Sequence, residues 1–221
     1  MELVLVALTG GVLALDATSV GQFMVSRPLV AGALTGWLLG DPALGLGVGT
    51  LLEIYLLVSF PSGGARFPEG ATATVVAVAS AAAVDSPGAV PLGVAAGLIW
   101  GQVGGLTVSG LRHLNGRIVP EPDALRPDRL ARAHVFAMAL DGVRGALVTL
   151  AGAVSGRWAV ALLADAWPLE ASDSRGLLLL GGAVSAGILL RSLGGYRKRR
   201  MLFAAGLAMG AHTAWWWMDG T

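Results

Sequence analysis

The chain has no cysteine among its 221 residues, which removes disulfides, thiolate nucleophiles and cysteine metal sites at once. It is almost as poor in charge: Asp, Glu, Lys and Arg make up 13% of the residues, against about 25% in ordinary soluble domains. Histidine occurs only at His113, His134 and His212, no H-E-x-x-H pair exists, and no glycine-rich loop ends in Lys-Ser/Thr. Metalloprotease and motor-ATPase machinery are therefore excluded. Fifteen Lys and Arg against fourteen Asp and Glu leave a net charge of +1, so no overall basic field draws nucleic acid. The first residues, MELVLVALTGGVLALDA, lack a positive n-region and read as part of the mature membrane domain rather than a cleaved signal.

What is present is apolar. Hydrophobic side chains make up 55% of the chain and the mean hydropathy is +0.71, values of a membrane protein. Glycine fills 33 positions, about twice the average share, and without a G-X-Y period the excess fits close helix packing in lipid. A spanning helix needs about 20 apolar residues, so the interruptions are informative. Leu3 to Leu15 is apolar, then Asp16, Gln22, Arg27 and Pro28 break the pattern. Pro28 to Gly40 is short, Asp41-Pro42 marks a turn, and Ala43 to Phe60 carries Glu53 near its centre. Such short, Gly/Pro-interrupted segments point to broken or re-entrant helices lining a transporter site, with thin, tilted spans as the alternative.

Gly70 to Val84 and Ala89 to Leu111 follow, separated by the turn Asp85-Ser86-Pro87-Gly88. Gly93, Gly97, Gly101 and Gly105 recur every fourth residue, as do Gly32, Gly36 and Gly40, forming ridges on which a neighbouring backbone can lie. This is more close-packing surface than one small bundle needs, which leaves a ridge available to another subunit. Arg112 to Arg132 is an open polar stretch with Arg117, Arg126 and Arg129 inside it. His134 to Trp167, Leu177 to Leu190 and Met201 to Met218 are the remaining apolar runs, the first long enough for one tilted or one broken helix. Arg191 and the Arg197 to Arg200 cluster form a second basic loop. By the positive-inside rule both basic loops are cytoplasmic and Asp165 to Asp173 lies outside, while the N-terminal half carries too few cations to be oriented. Trp215, Trp216 and Trp217 read as an interfacial belt. The expected fold is an all-α, polytopic helical bundle, a single membrane-embedded domain over 1–221. Residues 1–84 form its broken or re-entrant part, and 89–218 supply further membrane helices with basic loops at 112–132 and 191–200.

A charged residue at the centre of a membrane helix costs roughly 2.5 to 3.5 kcal/mol on insertion scales, so each such group has to face protein or water, or be neutralised. Glu53 lies in GTLLEIYLL with no cation within a turn, so its partner comes from elsewhere in the chain or from a ligand. Its alternative role is a structural carboxyl bonded to the backbone of a broken helix. Asp141 and Arg144, at i and i+3, can neutralise each other locally or meet a ligand. His134 suits an interfacial or capping position. Glu69 follows Pro68 and precedes an apolar run, which suits a helix N-cap, with ligand binding as the second reading.

The stretch LDATSVGQFMVSRPLVAGALTGWLLGD followed by GLGVGTLLEIYLLV resembles the membrane component IIC of the mannose/fructose/sorbose family of the bacterial phosphoenolpyruvate-dependent sugar phosphotransferase system. The features that carry the likeness are Asp16, Arg27-Pro28-Leu29, Gly40-Asp41, Gly49-Thr50 with Glu53, Gly63-Gly64-Ala65, Pro68-Glu69, Gly101-Gln102-Val103, the His134, Asp141, Arg144 spacing, and Gly176-Leu177 with Gly181-Gly182. They are collinear over nearly the whole chain. The resemblance implies a multi-pass subunit of the bacterial inner membrane that assembles with a IID membrane partner and receives cytoplasmic IIA and IIB. Phosphoryl then passes from histidines on soluble components to IIB and on to a hexose hydroxyl, so no cofactor, metal or phosphorylated residue of this chain is expected. The residues expected on the sugar path are Glu53, Asp16, Gln22, Glu69 and Gln102. Asp141, Arg144 and His134 are expected as structural or gating polar groups. Phe60-Pro61-Ser62 stands where relatives often have Asn, Arg66 replaces a small residue, and the chain stops soon after its last apolar run. These departures leave two other readings: a structural or regulatory membrane subunit that moves no sugar, and an uncoupled secondary transporter.

Overall fold

The computed structural model describes residues 1–57, 59, 66–118, 127–192 and 194, with isolated positions at 200, 201, 204, 206 and 208. Among these, all regular structure is helical: α1 Glu2–Thr18, α2 Pro28–Leu39, α3 Pro42–Leu56, α4 Gly70–Ala81, α5 Ala89–Ile118, α6 Pro127–Leu163 with a single 3-10 turn at Ala164–Ala166, and α7 Ala171–Ser192. The protein is an all-α integral membrane protein. Helices α5, α6 with its 3-10 turn, and α7 are long and apolar enough to cross a bilayer, whereas α2, α3 and α4 are short apolar helices. At 1.5 Å per residue α2 and α4 reach only about 18 Å, well under the roughly 30 Å of hydrocarbon.

Local chemistry explains the α2–α3 hairpin. Gly40 ends α2 in the left-handed region at φ 86°, which only glycine adopts freely. Asp41 then caps α3, its carboxylate accepting from Leu44 N at 2.8 Å, and Pro42 occupies the first helical position, where a missing N–H is harmless. Helix α4 is the centre of the bundle. Every residue from Ala71 to Ala81 is buried, and α1, α2, α3, α5 and α6 all pack on it. Its sequence GATATVVAVASA is built of small and β-branched residues, so neighbouring axes approach from several sides. Thr74 disposes of its hydroxyl by donating to Gly70 O at 2.8 Å.

Close helix contacts also set direction. Gly10 faces Thr149, Gly145 faces Ala14, Glu2 pairs with Arg157 and Thr18 reaches Asp141, so α1 runs antiparallel to α6. Helices α1 to α4 all turn at the level where Glu69 meets Gly104 and Thr18 meets Asp141. Helices α5 and α6 continue past that level by about 20 Å. The short helices therefore form a half-bundle that stops partway along the long ones.

Several expectations need correction. Apart from Gly40, which faces open space, the ridge glycines form internal seams and not a surface for another subunit: a Cβ at Gly32 or Gly36 would overlap the backbone of α3 at Gly45 or of its N-cap Asp41. A Cβ at Gly93 would sit 2.8 Å from Ala77 O on α4, and Gly97, Gly101 and Gly105 likewise face α4 or its approach. The Arg112 to Arg132 stretch is largely helical, because α5 runs on to Ile118 and α6 already begins at Pro127. Its central residues 119–126 lie outside the described residues. Of the two readings of the run from His134, the single helix is the one found, unbroken through Leu163. The Phe60-Pro61-Ser62 and Gly63-Gly64-Ala65 features, the Arg197 to Arg199 cations, the Met201 to Met218 run as a span and the three tryptophans also lie outside the described residues.

Candidate functional site

Where the short helices end, their polar residues gather. Glu69 occupies the N-cap position of α4 with an extended backbone, and its own N–H donates to Gly101 O at 2.8 Å. Its carboxylate does not cap α4, contrary to the capping expectation. It receives Arg144 instead, in a two-pronged contact of Nη1 to Oε2 at 2.9 Å and Nη2 to Oε1 at 2.7 Å, and Thr72 Oγ1 donates to Oε2 at 2.8 Å. Planar fork-to-fork pairing of this kind fixes orientation as well as charge. The space for it is provided by Gly104, whose missing side chain leaves room for the Glu69 carboxylate.

Arg144 also pairs locally with Asp141, Nε to Oδ1 at 3.0 Å, and donates to Thr107 Oγ1 at 3.1 Å. Asp141 Oδ2 in turn accepts from Thr18 and Ser19 at the end of α1. One guanidinium thus ties α1, α4, α5 and α6 together. The side chains of Glu69 and Asp141 are each 2% exposed and that of Arg144 10%, which places the cluster away from both lipid and bulk water.

A second pair stands beside it. Arg27, the N-cap residue of α2, bonds Glu53 of α3, and Leu29 N donates to Glu53 Oε2 at 3.3 Å. Glu53 is therefore not unpaired. It supplies negative charge to the N-terminus of α2 from a neighbouring helix. Asp16 is buried and faces the α1–α2 connection, accepting from Phe23 N at 2.6 Å and Ser26 N at 2.8 Å. That connection carries Gly21, Gln22 and Met24 with φ of 74°, 51° and 66°.

Between the two pairs lies a cleft of about 110 Å3, lined among others by Thr18, Ser26, Arg27, Glu53, Ser59 and Glu69. Its lining mixes these polar groups with apolar ones, among them Leu56, Phe67 and Pro68, and it is large enough for several waters, at about 10 to 15 Å3 each. Carboxylates that accept, a guanidinium that donates and hydroxyls that do both are the groups that recognise a polyhydroxylated ligand. Of the residues singled out in the sequence, the structure brings Glu53 and Glu69 to this cleft, with Asp141 and Arg144 directly behind Glu69. Asp16 stands behind the loop that delivers Ser26 and Arg27. Gln22, Gln102 and His134 are exposed and do not line the cleft. Sequence reasoning missed Arg27 as the partner of Glu53, and Thr18, Ser19, Ser26, Thr72 and Thr107 altogether. Arg27 could have been found as the cation nearest the polar break, whereas the hydroxyl residues carry no signal in a chain where Ser and Thr are scattered.

Comparison with known proteins agrees with this architecture. The family described as "PTS system sorbose-specific iic component" has a family model that matches residues 1–213. A search of the curated proteins found no match. A solved structure described as "Structure of membrane protein" superposes with a TM-score of 0.70 at 18% identity, covering 99% of this chain and 95% of the other. At that identity the likeness speaks for the fold alone.

Proposed function

Because the chain belongs to the sorbose-specific IIC family of the phosphotransferase system, we propose that it receives a hexose in the cleft between Arg27, Glu53 and Glu69 and passes it across the bilayer. A IIB partner then phosphorylates the sugar. The observation that carries this reading is the convergence of two carboxylates, a guanidinium and three hydroxyls on one cleft where the short helices end. In lipid such a gathering is costly; the ion pairs offset part of that cost, and a polar ligand gives the open cleft beside them a use. Glu53 and Glu69 accept hydrogen bonds from sugar hydroxyls, Arg27 donates to ring or hydroxyl oxygens, and Thr18, Ser26 and Ser59 complete the shell. Arg144 acts behind Glu69 by holding its carboxylate in place.

The assembly proposed is a multi-pass complex in the bacterial cytoplasmic membrane, with a IID subunit beside this chain and IIA and IIB on the basic side. Residues 1–84 form the sugar-bearing part of a single membrane domain. The phosphoryl group travels on the soluble components and ends on the sugar, so this chain contributes binding and passage. The test is phosphoenolpyruvate-dependent sugar uptake in vesicles containing this chain with IIA and IIB, with and without IID. Phosphorylated sugar accumulating only in the complete set is the expected result. Full uptake without IID overturns the partner requirement, and intact assembly without uptake of any hexose overturns the transport reading.

A further inference from the structure

Polar groups make up only part of the cleft wall. Phe67 is the single aromatic among the described residues that line it, half-buried in a wall that also includes Leu56 and Pro68. The segment it belongs to is clamped on α5. Pro68 biases the residue before it towards an extended backbone, Glu69 N donates to Gly101 O at 2.8 Å, and the absent side chain of Gly105 leaves room for the Phe67 carbonyl. Arg112 follows Gly105 by two helical turns, on the same face of α5. Its guanidinium carbon stands over the Phe67 ring, 5.6 Å from the centroid. Arg112 is exposed and belongs to no ion pair among the described residues, so the ring is the partner its charge has there. A cation over an aromatic face is held by the ring quadrupole, which fixes the plane of the ring at the edge of the cleft.

An occupant of this cleft has to offer hydroxyls to Glu53, Glu69 and Arg27 and something apolar to Phe67. A ring-form hexose does both, because its hydroxyls spread around a rim while its axial C–H bonds make a compact apolar face. An open-chain hexitol carries at least as many hydroxyls on a flexible chain and has no such face. We propose that Phe67 is the platform of the cleft: the ring face not covered by Arg112 seats the C–H face of a hexopyranose, and Arg112 holds the ring in position for it. The proposal rests on the sugar-binding reading above and adds what that site selects, ring-form over open-chain ligands. The face of an aromatic ring is negative and the hydrogens of a sugar C–H are slightly positive, so the contact depends on the π-electrons as well as on buried area.

The assay is equilibrium binding to the full chain. The probes are D-glucose, D-mannose, D-galactose, D-fructose and L-sorbose, set against the hexitols D-glucitol, D-mannitol and galactitol. The best-bound hexose should exceed every hexitol by about tenfold or more. Phe67→Leu should lower its affinity about three- to tenfold, and Phe67→Tyr should leave it within about twofold. Pentafluorophenylalanine placed at position 67 keeps the shape of the ring and reverses the sign of its face, so it should lose the hexose as Phe67→Leu does, with folding preserved. Arg112→Leu should lower the affinity about two- to threefold at an unchanged unfolding midpoint, and Arg112→Lys should recover it, because the ring needs a cation. If none of the hexoses binds, the sugar reading of the cleft falls and the platform with it. If a hexose binds and the fluorinated ring holds it as tightly as the parent does, or if a hexitol binds as well as the hexose, the platform is overturned while the sugar reading stands. Arg112→Leu indistinguishable from the parent overturns the role given to Arg112.

Discussion

Two buried carboxylates, Glu69 and Asp141, depend on the single positive charge of Arg144. Removing one partner of a buried ion pair leaves an uncompensated charge and costs about 3 to 5 kcal/mol. Arg144→Gln should therefore destabilise the chain by that order in denaturant titration, and adding Glu69→Gln should recover part of the loss, because the orphaned charge goes with it. Arg144→Lys should fail to restore the parent stability, since an ammonium cannot make the forked contact to Glu69. Asp16 acts on backbone instead. Its carboxylate holds Phe23 and Ser26 amides and so keeps Met24 in a left-handed conformation that costs an ordinary residue roughly 1 to 2 kcal/mol. Asp16→Asn should lower sugar affinity through misplacement of Ser26 and Arg27, and Met24→Gly added to it should restore part of that affinity, read by equilibrium binding of the hexose. Glu53→Gln keeps shape and removes charge from the cleft. Binding and uptake should fall by well over twofold, a change of roughly 0.4 kcal/mol being too small for a direct ligand.

Among the elements, the α4–α5 seam is where sequence pattern and structure can be compared most closely. The four-residue glycine spacing marks a ridge meant for close approach, and the ridge is there. What spacing cannot say is whose backbone lies on it, because the same ridge serves a neighbour in the chain or in another subunit. The neighbour is α4, a helix whose small residues carry almost no amphipathic signal of their own. The Asp41-Pro42 turn was legible for the opposite reason: its chemistry is entirely local. The i, i+3 pair of Asp141 and Arg144 was legible as a pair, while the reach of Arg144 to Glu69 joins positions 75 residues apart and leaves no trace in spacing. Gly97→Leu would drive a side chain into the Ala73 carbonyl and Ala77 Cβ. Overpacking of this kind typically costs about 1 to 3 kcal/mol or more, and here the obstacle includes backbone. The variant should therefore lose folded yield in size-exclusion chromatography, whereas Gly110→Leu on the same helix, with open space around it, should not.

For the whole molecule, we propose an orientation from charge and packing together, where charge alone leaves it open. The cations Arg112, Arg117, Arg129, Arg132 and Arg191 all fall at the same end of α5, α6 and α7, as helices of alternating direction require. The positive-inside rule assigns that end to the cytoplasm. The N-terminal half has too few cations for the rule, but α1 runs antiparallel to α6, with Glu2 against Arg157 near the far end and Thr18 against Asp141. The N-terminus therefore lies at the end of the bundle away from the basic ends, along with the α2–α3 and α4–α5 turns, and the proposed orientation puts that end outside. Single cysteines replacing Gly116 and Ser192 should react with a membrane-impermeant thiol reagent from the cytoplasmic side. Cysteines replacing Glu2 and Ser172 should react from the other. All four positions are exposed, and the ion pair lost at Glu2 sits at an exposed rim where such pairs are worth about 0 to 1 kcal/mol, so the fold survives each change. If Glu2→Cys instead reacts from the same side as Gly116→Cys, α1 cannot be antiparallel to α6 in the bilayer. The half-bundle would then have to approach the cleft from the cytoplasm.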